Sequence, residues 1–511
     1  MNDTKKQTGA RTKRRRFIYN DDGGGMKHIK DPDLGCYFAK RLEGHLRRDS
    51  IDTVFFCGHD DWAKVFYDSA VEGVAFNCDA PVRALLDGGI DPMQATIDYC
   101  RERGREIFYS FRMNDIHDSV TGDIGPWKQD HPEWLIGTRD ALRSKHPDGR
   151  LTIQACLWAS MDFTVPEARR HIARCIEEVM ERWDWDGFEF DYSRNASLFK
   201  STYRERHATD AERDVLTAFQ RELSEMARTR SAPSGQPCLV AAVIPETVAL
   251  SNYVGIDIET WLREGLLDMI IAGDGYVPFS PGATELVALG HRYGTPVYIR
   301  TNANGDRDRP FHHHPEAWRA AAYNHWTAGA DGLYIFNTYD SKMFERDGAD
   351  ILAEMGDPER LRFLDKLYLV HWNHEFVRYG YGDIYYYMPH ENMLPMPLAR
   401  EDRRVEFVCL EDLEGAVATG RTPEITLRLG VENVDPGGVC SFTLNDTALP
   451  EPCNMTESDS ERVFQYALAP HHVIRGTNTI RVGRCPKSRS DAAAALTRGE
   501  LWIRYGNQTF A

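Results

Sequence analysis

The stretch Trp185-Asp186-Gly187-Phe188-Glu189-Phe190-Asp191-Tyr192-Ser193-Arg194 decides the fold. Read with the two-residue period of a strand, Phe188, Phe190 and Tyr192 share one face, and Glu189 and Asp191 share the other. At the rise of an extended chain, the two carboxylates stand roughly 7 Å apart along the strand. Asp186-Gly187 is a turn dipeptide that leads into it. A parallel strand with an apolar outer face and acids on its inner face, near its C-terminal end, fits the wall of a (β/α)8 barrel.

Working outward, strand-like runs alternate with helical stretches from about residue 17 to 340. The expected strands are Phe17–Asn20, Thr53–Cys57, Glu106–Arg112, Gly187–Tyr192, Leu239–Ile244, Met269–Ala272, Val297–Thr301 and Gly332–Asn337. Helical spacing between them is clearest in Pro166–Arg182, Asp210–Thr229 and Pro315–Ala328. A doubly wound sheet would need a glycine-rich phosphate loop after the first strand, and Gly23-Gly24-Gly25 lacks that pattern. Glu359–Val370 reads as a helix closing the barrel. Beyond about residue 385, short alternating runs separated by turns predict an all-β sandwich. Its strands are expected at Arg404–Val408, Glu424–Leu429, Gly438–Leu444, Arg462–Ala467, Thr477–Val482 and Glu500–Arg504. The expected organisation is therefore α/β, a (β/α)8 TIM barrel over 17–384 followed by a β-sandwich over 385–511. A basic leader over 1–16, ending Lys13-Arg14-Arg15-Arg16, is expected to be disordered.

Composition narrows the function. With 511 residues, 42% hydrophobic and 27% charged, the chain can bury a large core. The net charge of -17 argues against nucleic acid as a partner and disfavours a strongly anionic substrate, unless a local basic cleft overrides the total. No membrane partner is expected, because no window is long and apolar enough to span a bilayer. The 11 cysteines are scattered, odd in number and without a C-x-x-C pair. They read as reduced, mostly buried thiols, not as a disulfide framework, and with the lack of a signal-peptide pattern they suggest a cytoplasmic protein. Oligomeric state is not legible.

In such a barrel, reacting groups sit at the C-terminal ends of the strands. The ends read here are Asp22 after strand one, and His59 and Trp62 after strand two. Arg112 and Asn114 follow strand three, Glu189 and Asp191 strand four, and Glu246 strand five. Asp274 follows strand six, Arg300 and Asn302 strand seven, and Asn337 strand eight. The ring is rich in carboxylates and has no G-x-S-x-G elbow or catalytic Cys–His spacing. Carboxylates of this kind suit glycosidic bond cleavage, in which one acid protonates the leaving oxygen and a second attacks or stabilises the anomeric carbon. Asp191 is the favoured nucleophile, with Asp274 or Glu246 as acid. Glu189, Arg112 and Asn114 would position the sugar, and Arg112 would keep its strand-four neighbour ionised. Asp22, His59, Trp62, Arg300, Asn302 and Asn337 complete the expected substrate contacts. The plainer readings are that the pair only fills the barrel as buried ions, that Asp274 is a turn residue, and that Glu246 is a first-turn helix acid. Trp62, Trp127, Trp134 and Trp158 are candidates for a sugar-stacking platform. His312-His313-His314 is read as a loop, not a metal site. Neither a cofactor nor a metal is expected, and the expected partner is a carbohydrate.

Several of these segments resemble the glycosyl-hydrolase-like barrel proteins of environmental bacteria, the family-ten-type hypothetical glycosyl hydrolases. The resemblance is carried by Tyr19-Asn20-Asp21-Asp22, Phe111-Arg112-Met113-Asn114-Asp115, Asp130-His131-Pro132-Glu133-Trp134, Trp185 to Asp191, Gly255 to Trp261 and Gly329-Ala330-Asp331-Gly332-Leu333-Tyr334. It spans about residues 15–380. It implies a barrel and a glycosidase activity. Strand four is also similar to that of chitinase-type barrels, which carry Asp-Gly-x-Asp-x-Asp-x-Glu. Here Ser193 stands where the catalytic Glu would be, so the chitinase mechanism does not transfer directly. That departure motivates one rival, a non-hydrolytic carbohydrate-binding barrel; a metal-dependent hydrolase is the second.

Overall fold

The computed structural model describes residues 13, 15–145, 152–204, 206–233, 235–273, 284–301, 314–336, 338, 344–346, 349–370, 394–399, 402–434, 440–458, 461–485 and 494–506. The chain divides into two compact units. One is built from the chain up to Gly305 together with Gly329–Glu345. The other is built from Asp306–Ala328, Arg346–His374 and Pro389–Ala511.

The first unit is a closed barrel of eight parallel strands. They are β1 (Phe17–Asp21), β2 (Ile51–Phe56), β3 (Glu106–Arg112), β4 (Gly187–Asp191), β5 (Leu239–Ile244), β6 (Met269–Ala272), β7 (Val297–Arg300) and β8 (Gly332–Phe336). Each pairs with its chain neighbour, and β1 closes on β8 through the register Phe17 to Leu333 up to Asn20 to Phe336. All eight expected strands are present, with ends shifted by at most two residues. The strands are nearly continuous apolar runs because both of their faces are buried. The lumen is filled from every wall but β4 by a cluster that includes Ile18, Phe55, Phe108, Ala241, Val243, Ile271, Tyr298, Tyr334 and Phe336.

Crossover helices form where the spacing predicts. In α1 (Pro166–Arg182), Pro166 opens the first turn, and Ile172, Cys175, Ile176, Val179 and Met180 make one buried stripe. In α2 (Asp210–Arg228), Thr209 and Glu212 cap the N-terminus reciprocally. Arg15 and Arg16, expected at the end of a disordered leader, belong to the folded chain. Arg15 is fully buried against Glu106 at 2.9 Å, and the Arg16 N–H donates to Asp52.

The second unit holds a β-sandwich. One sheet runs in the order β9 (Lys366–Leu369), β17 (Ala495–Arg504), β11 (Glu424–Glu432), β15 (Glu461–Leu468), β14 (Asn454–Glu457). The other runs β10 (Arg404–Cys409), β16 (Gly476–Val482), β12 (Phe442–Leu444), β13 (Thr447–Ala448). Leu427, Leu429, Phe464 and Ile503 from the first sheet meet Val405, Phe407, Leu444 and Ile480 from the second in one apolar core. The helix Pro315–Thr327, between β7 and β8 in sequence, belongs to this unit.

Two expectations are corrected here. Glu359–Val370 is not a closing helix. A one-turn helix at Pro358–Leu361 gives way to β9, which pairs antiparallel with β17 from Lys366 opposite Ile503 to Leu369 opposite Glu500. A short apolar run satisfies both periods, and a partner strand over a hundred residues downstream decides between them. The cysteines are not all reduced thiols, since Cys440 and Cys485 form a disulfide across 45 residues. No described helix is long and apolar enough to cross a membrane.

Candidate active site

The phase of β4 is as its sequence implies. Phe190 stacks outside the barrel on Phe111, and the Tyr192 hydroxyl donates to Gln220 on α2, while Glu189 and Asp191 point into the lumen. Both acids are fully buried. The register places Ser110 and Ala241 beside Glu189, and Arg112 and Val243 beside Asp191. Asn20 on β1 reaches across the lumen, donating from Nδ2 to Ser110 Oγ and to Glu189 Oε2 at 3.2 Å each.

The two carboxylates are held differently. Asp191 Oδ1 accepts the backbone N–H groups of Ser193 at 3.0 Å and Arg194 at 2.8 Å, which fixes the side chain in an Asx-type turn as the strand ends. Its Oδ2 is buried and, among the described residues, receives no hydrogen bond. Glu189 lies one pleat deeper. Burial first, and then the charge of Asp191, push its pKa up to about 8; the Ser110 and Tyr334 hydroxyls and the Arg300 guanidinium offset this only in part. At neutral pH Glu189 therefore carries a proton beside an oriented carboxylate with one open oxygen.

Arg112, expected beside the acids of β4, has two ionic partners that lie off that strand. Its guanidinium pairs with Asp115 at 3.0 Å and with Asp22 at 3.7 Å. Burial alone would raise Asp22, but Arg112 and then Arg41, which lies 3.0 Å from it, hold it low. Asp115 is likewise held well below the usual carboxylate range, its burial outweighed by His117, Arg112 and Arg194. The cation that faces Glu189 comes instead from β7, as Arg300, stacked on the Phe336 ring at 3.9 Å.

Several expected sugar contacts prove to be internal braces. Asn114 donates to the Met161 carbonyl at 3.3 Å and to that of Ser197, and its own carbonyl accepts Met161 N–H at 2.8 Å, so its amide pins three loop segments together. His59 is buried on the outer side. Its Nδ1 meets the Tyr109 hydroxyl and its Nε2 accepts the Arg112 N–H, and burial followed by Arg112 push its pKa down to about 4. The indole N–H groups of Trp62, Trp127 and Trp158 donate to the carbonyls of Met113, Trp62 and Ser119, and all three rings are buried. Polar tips that find backbone partners let these large rings fill the space beneath the loops. Of the four tryptophans only Trp134 is half-buried, stacked on His131 at 3.9 Å.

Glu246 is buried after β5 and is not a first-turn helix acid. Thr247 is the N-cap of the helix Val248–Val254, and Glu246 precedes that cap. Asp274, Asn302, Asn337, His312 and His313 lie outside the described residues. Among the described residues, no three His, Cys, Asp or Glu side chains are grouped as metal ligands. The sequence reading missed Ser110, Tyr334 and Phe336. The signal was the phase of β3 and β8, in which Ser110–Arg112 and Tyr334–Phe336 recur on the lumen side as Glu189–Asp191 do on β4.

Comparisons with known proteins bear on part of the barrel. Residues 40–286 match the family model described as Glycosyl hydrolase-like 10, which shows the resemblance read from the sequence for that part of the barrel. No curated protein matches. Among solved structures, α-L-fucosidase isoenzyme 2 from Paenibacillus thiaminolyticus is similar at 13% identity and TM-score 0.42, covering 67% of this chain and 49% of that one. The chain thus spans about half the length of that enzyme. The glycoside hydrolase domain of PgaB (BpsB) from Bordetella bronchiseptica is similar at 11% identity and TM-score 0.43, covering 67% of this chain and 98% of that one. A family GH18 chitinase from Chromobacterium violaceum is similar at 10% identity and TM-score 0.36, covering 97% and 92%. The family match supports a glycosidase-type function.

Proposed function

We propose that this protein hydrolyses O-glycosidic bonds of an oligo- or polysaccharide at the mouth of the barrel lumen, with Asp191 as the carboxylate that meets the anomeric carbon. The observation that carries this reading is the arrangement at the end of β4. Asp191 is buried, fixed through Oδ1 by two backbone N–H groups, and open at Oδ2. A carboxylate oxygen already oriented in a buried lumen needs little reorganisation to attack or stabilise a developing oxocarbenium ion. Burying such a charge without a partner costs several kcal/mol in a site that does no work.

Glu189, protonated at neutral pH, sits behind Asp191 as a positioning residue. It removes a second negative charge from beneath the reacting carboxylate and, through Asn20 and Ser110, ties β4 to β1 and β3. The leaving oxygen needs a proton donor across the scissile bond, and that role is proposed for Glu246 or Asp274. Asn302 and Asn337 remain proposed sugar contacts from the ends of β7 and β8.

The test is turnover on a panel of reduced and aryl-tagged oligosaccharides. Wild-type protein should release product from at least one of them, and Asp191→Asn should lose that activity while retaining its melting transition. Asn keeps the two backbone hydrogen bonds at Oδ1 and removes only the charge. If Asp191→Asn turns over at the wild-type rate, the reading is wrong. Sugar binding without turnover by the wild type would leave the non-hydrolytic barrel in its place.

A further inference from the structure

Arg300 is the last residue of β7, and it points into the lumen. It is 1% exposed, and its Cβ rests against Gly273 so closely that a Cβ added there would meet it at 2.5 Å. The Phe336 ring covers one face of its guanidinium, at 3.9 Å from the centroid. Among the described residues, none of Nε, Nη1 and Nη2 has a hydrogen-bond partner. A guanidinium holds five N–H donors in a rigid fork and does not lose its proton, so a buried one without acceptors is a charge left open.

The neighbouring groups do not close it. Glu189 faces Arg300 but holds its proton at neutral pH. Asp191 gives Oδ1 to two backbone N–H groups, and its Oδ2 receives no hydrogen bond. Arg112, the other arginine near Phe336, is engaged with Asp115 and Asp22. One lumen cation is therefore matched within the protein, and one has no hydrogen bond among the described residues.

We infer that Arg300 receives an anionic substituent of the sugar, a carboxylate or a sulfate, while the ring it belongs to lies at Asp191. This rests on the glycosidase reading and names its substrate class as acidic saccharides. A planar fork with one face stacked on Phe336 presents parallel N–H groups along its edge, which suits a bidentate carboxylate or sulfate. A neutral hydroxyl would give the buried guanidinium no charged acceptor. The net charge of -17 disfavours anionic ligands at long range, but a cation inside a low-dielectric lumen acts at contact, where the distant surface charge is screened.

The experiment is calorimetric binding of defined oligosaccharides to the full-length wild type, Arg300→Gln and Arg300→Lys. The probes are uronate-containing oligomers, sulfated oligomers and the neutral counterpart of each. Wild type should bind at least one acidic member about tenfold to a hundredfold tighter than its neutral counterpart, the range of a hydrogen-bonded charge. Whether a uronate or a sulfated member is preferred tells carboxylate from sulfate. Arg300→Gln should bring that member to the affinity of its neutral counterpart. Arg300→Lys, which keeps the charge and loses the fork, should retain only part of the preference, and it decides the matter if the Gln variant fails to fold. Equal binding of every acidic and neutral pair by wild type, or a preference that survives both variants, overturns the inference. An acidic preference without turnover supports the Arg300 site and removes the hydrolase reading. Turnover of neutral oligosaccharides that is indifferent to Arg300→Lys does the reverse.

Discussion

The barrel holds two clusters of buried charge at the same end of its strands, and they are built on opposite rules. Around Arg112, each charged group has an ionic partner in the chain: Arg112 with Asp115 and Asp22, Arg41 with Asp21 and Asp22, and His117 with Asp115. Around Asp191, one carboxylate oxygen and a whole guanidinium are left without hydrogen bonds among the described residues, and the second carboxyl is neutral. Matched charges in a low dielectric stiffen the loops they join. Open ones are affordable only if something else completes them. The comparison therefore assigns the first cluster to stability and the second to the ligand, and each assignment can be broken separately.

The largest effect should come from Asp191→Asn. Turnover should fall by at least about a thousandfold, within the range for removing a group that acts on the reacting atoms. The melting temperature should hold or rise, because an open buried charge has been deleted. A loss of stability with turnover retained would move Asp191 into the structural class.

Asp115→Asn should do the opposite. It removes the nearer acid of Arg112, at 3.0 Å, and leaves that buried guanidinium with Asp22 at 3.7 Å, at a cost of about 3 kcal/mol in unfolding free energy. Denaturant titration measures this directly. The turnover of the folded fraction should change far less than in Asp191→Asn. If Asp115→Asn is as stable as wild type, the matched cluster is not what holds those loops.

The sandwich offers a check on whether covalent constraint lies outside this division. Cys440→Ala with Cys485→Ala opens a 45-residue loop, and the chain-entropy account gives a loss of about 4 kcal/mol. The acidic-sugar preference and the turnover of protein that remains folded should not change. The measurement is a denaturation curve for the sandwich signal beside a binding isotherm.

How much of this was readable beforehand follows from what each feature depends on. Strand positions depend on local pattern, so Leu239–Ile244 and Met269–Ala272 were legible to the residue, and so was the inward face of Glu189 and Asp191. Arg112 ends the adjacent strand, which makes it the partner that strand order alone suggests. Strand order says who is adjacent, but it does not say which long side chain turns toward which neighbour. Arg112 turns to Asp22 and Asp115, and the guanidinium that faces Glu189 comes from β7. Asn114 was misread for a similar reason, since its acceptors are carbonyls 47 and 83 residues away. Tyr334 and Phe336 were hidden because an aromatic in a strand reads as core, and here they are core and lumen wall at once.

The smallest and most specific effect belongs to Glu189, the member of the open cluster that escapes charge by keeping its proton. Its pKa is raised from 4.5 to about 8 in the folded chain, so the native state binds this proton more tightly than the unfolded state does. The resulting stabilisation is complete below about pH 4.5, declines as pH rises toward about 8, and is exhausted above it. Glu189→Gln fixes the neutral form and should remove that decline, so the stability difference between variant and wild type should grow with pH across this window and then level. Asp61, also raised by burial, to about 7, titrates in both proteins and cancels in the difference. Because the charge of Asp191 is the second cause of the shift, Asp191→Asn should narrow the window from its upper end. A flat difference between Glu189→Gln and wild type from pH 5 to 9 would mean that Glu189 is already ionised. The open cluster would then carry two negative charges against one arginine, and Arg300 would have its acceptor within the chain.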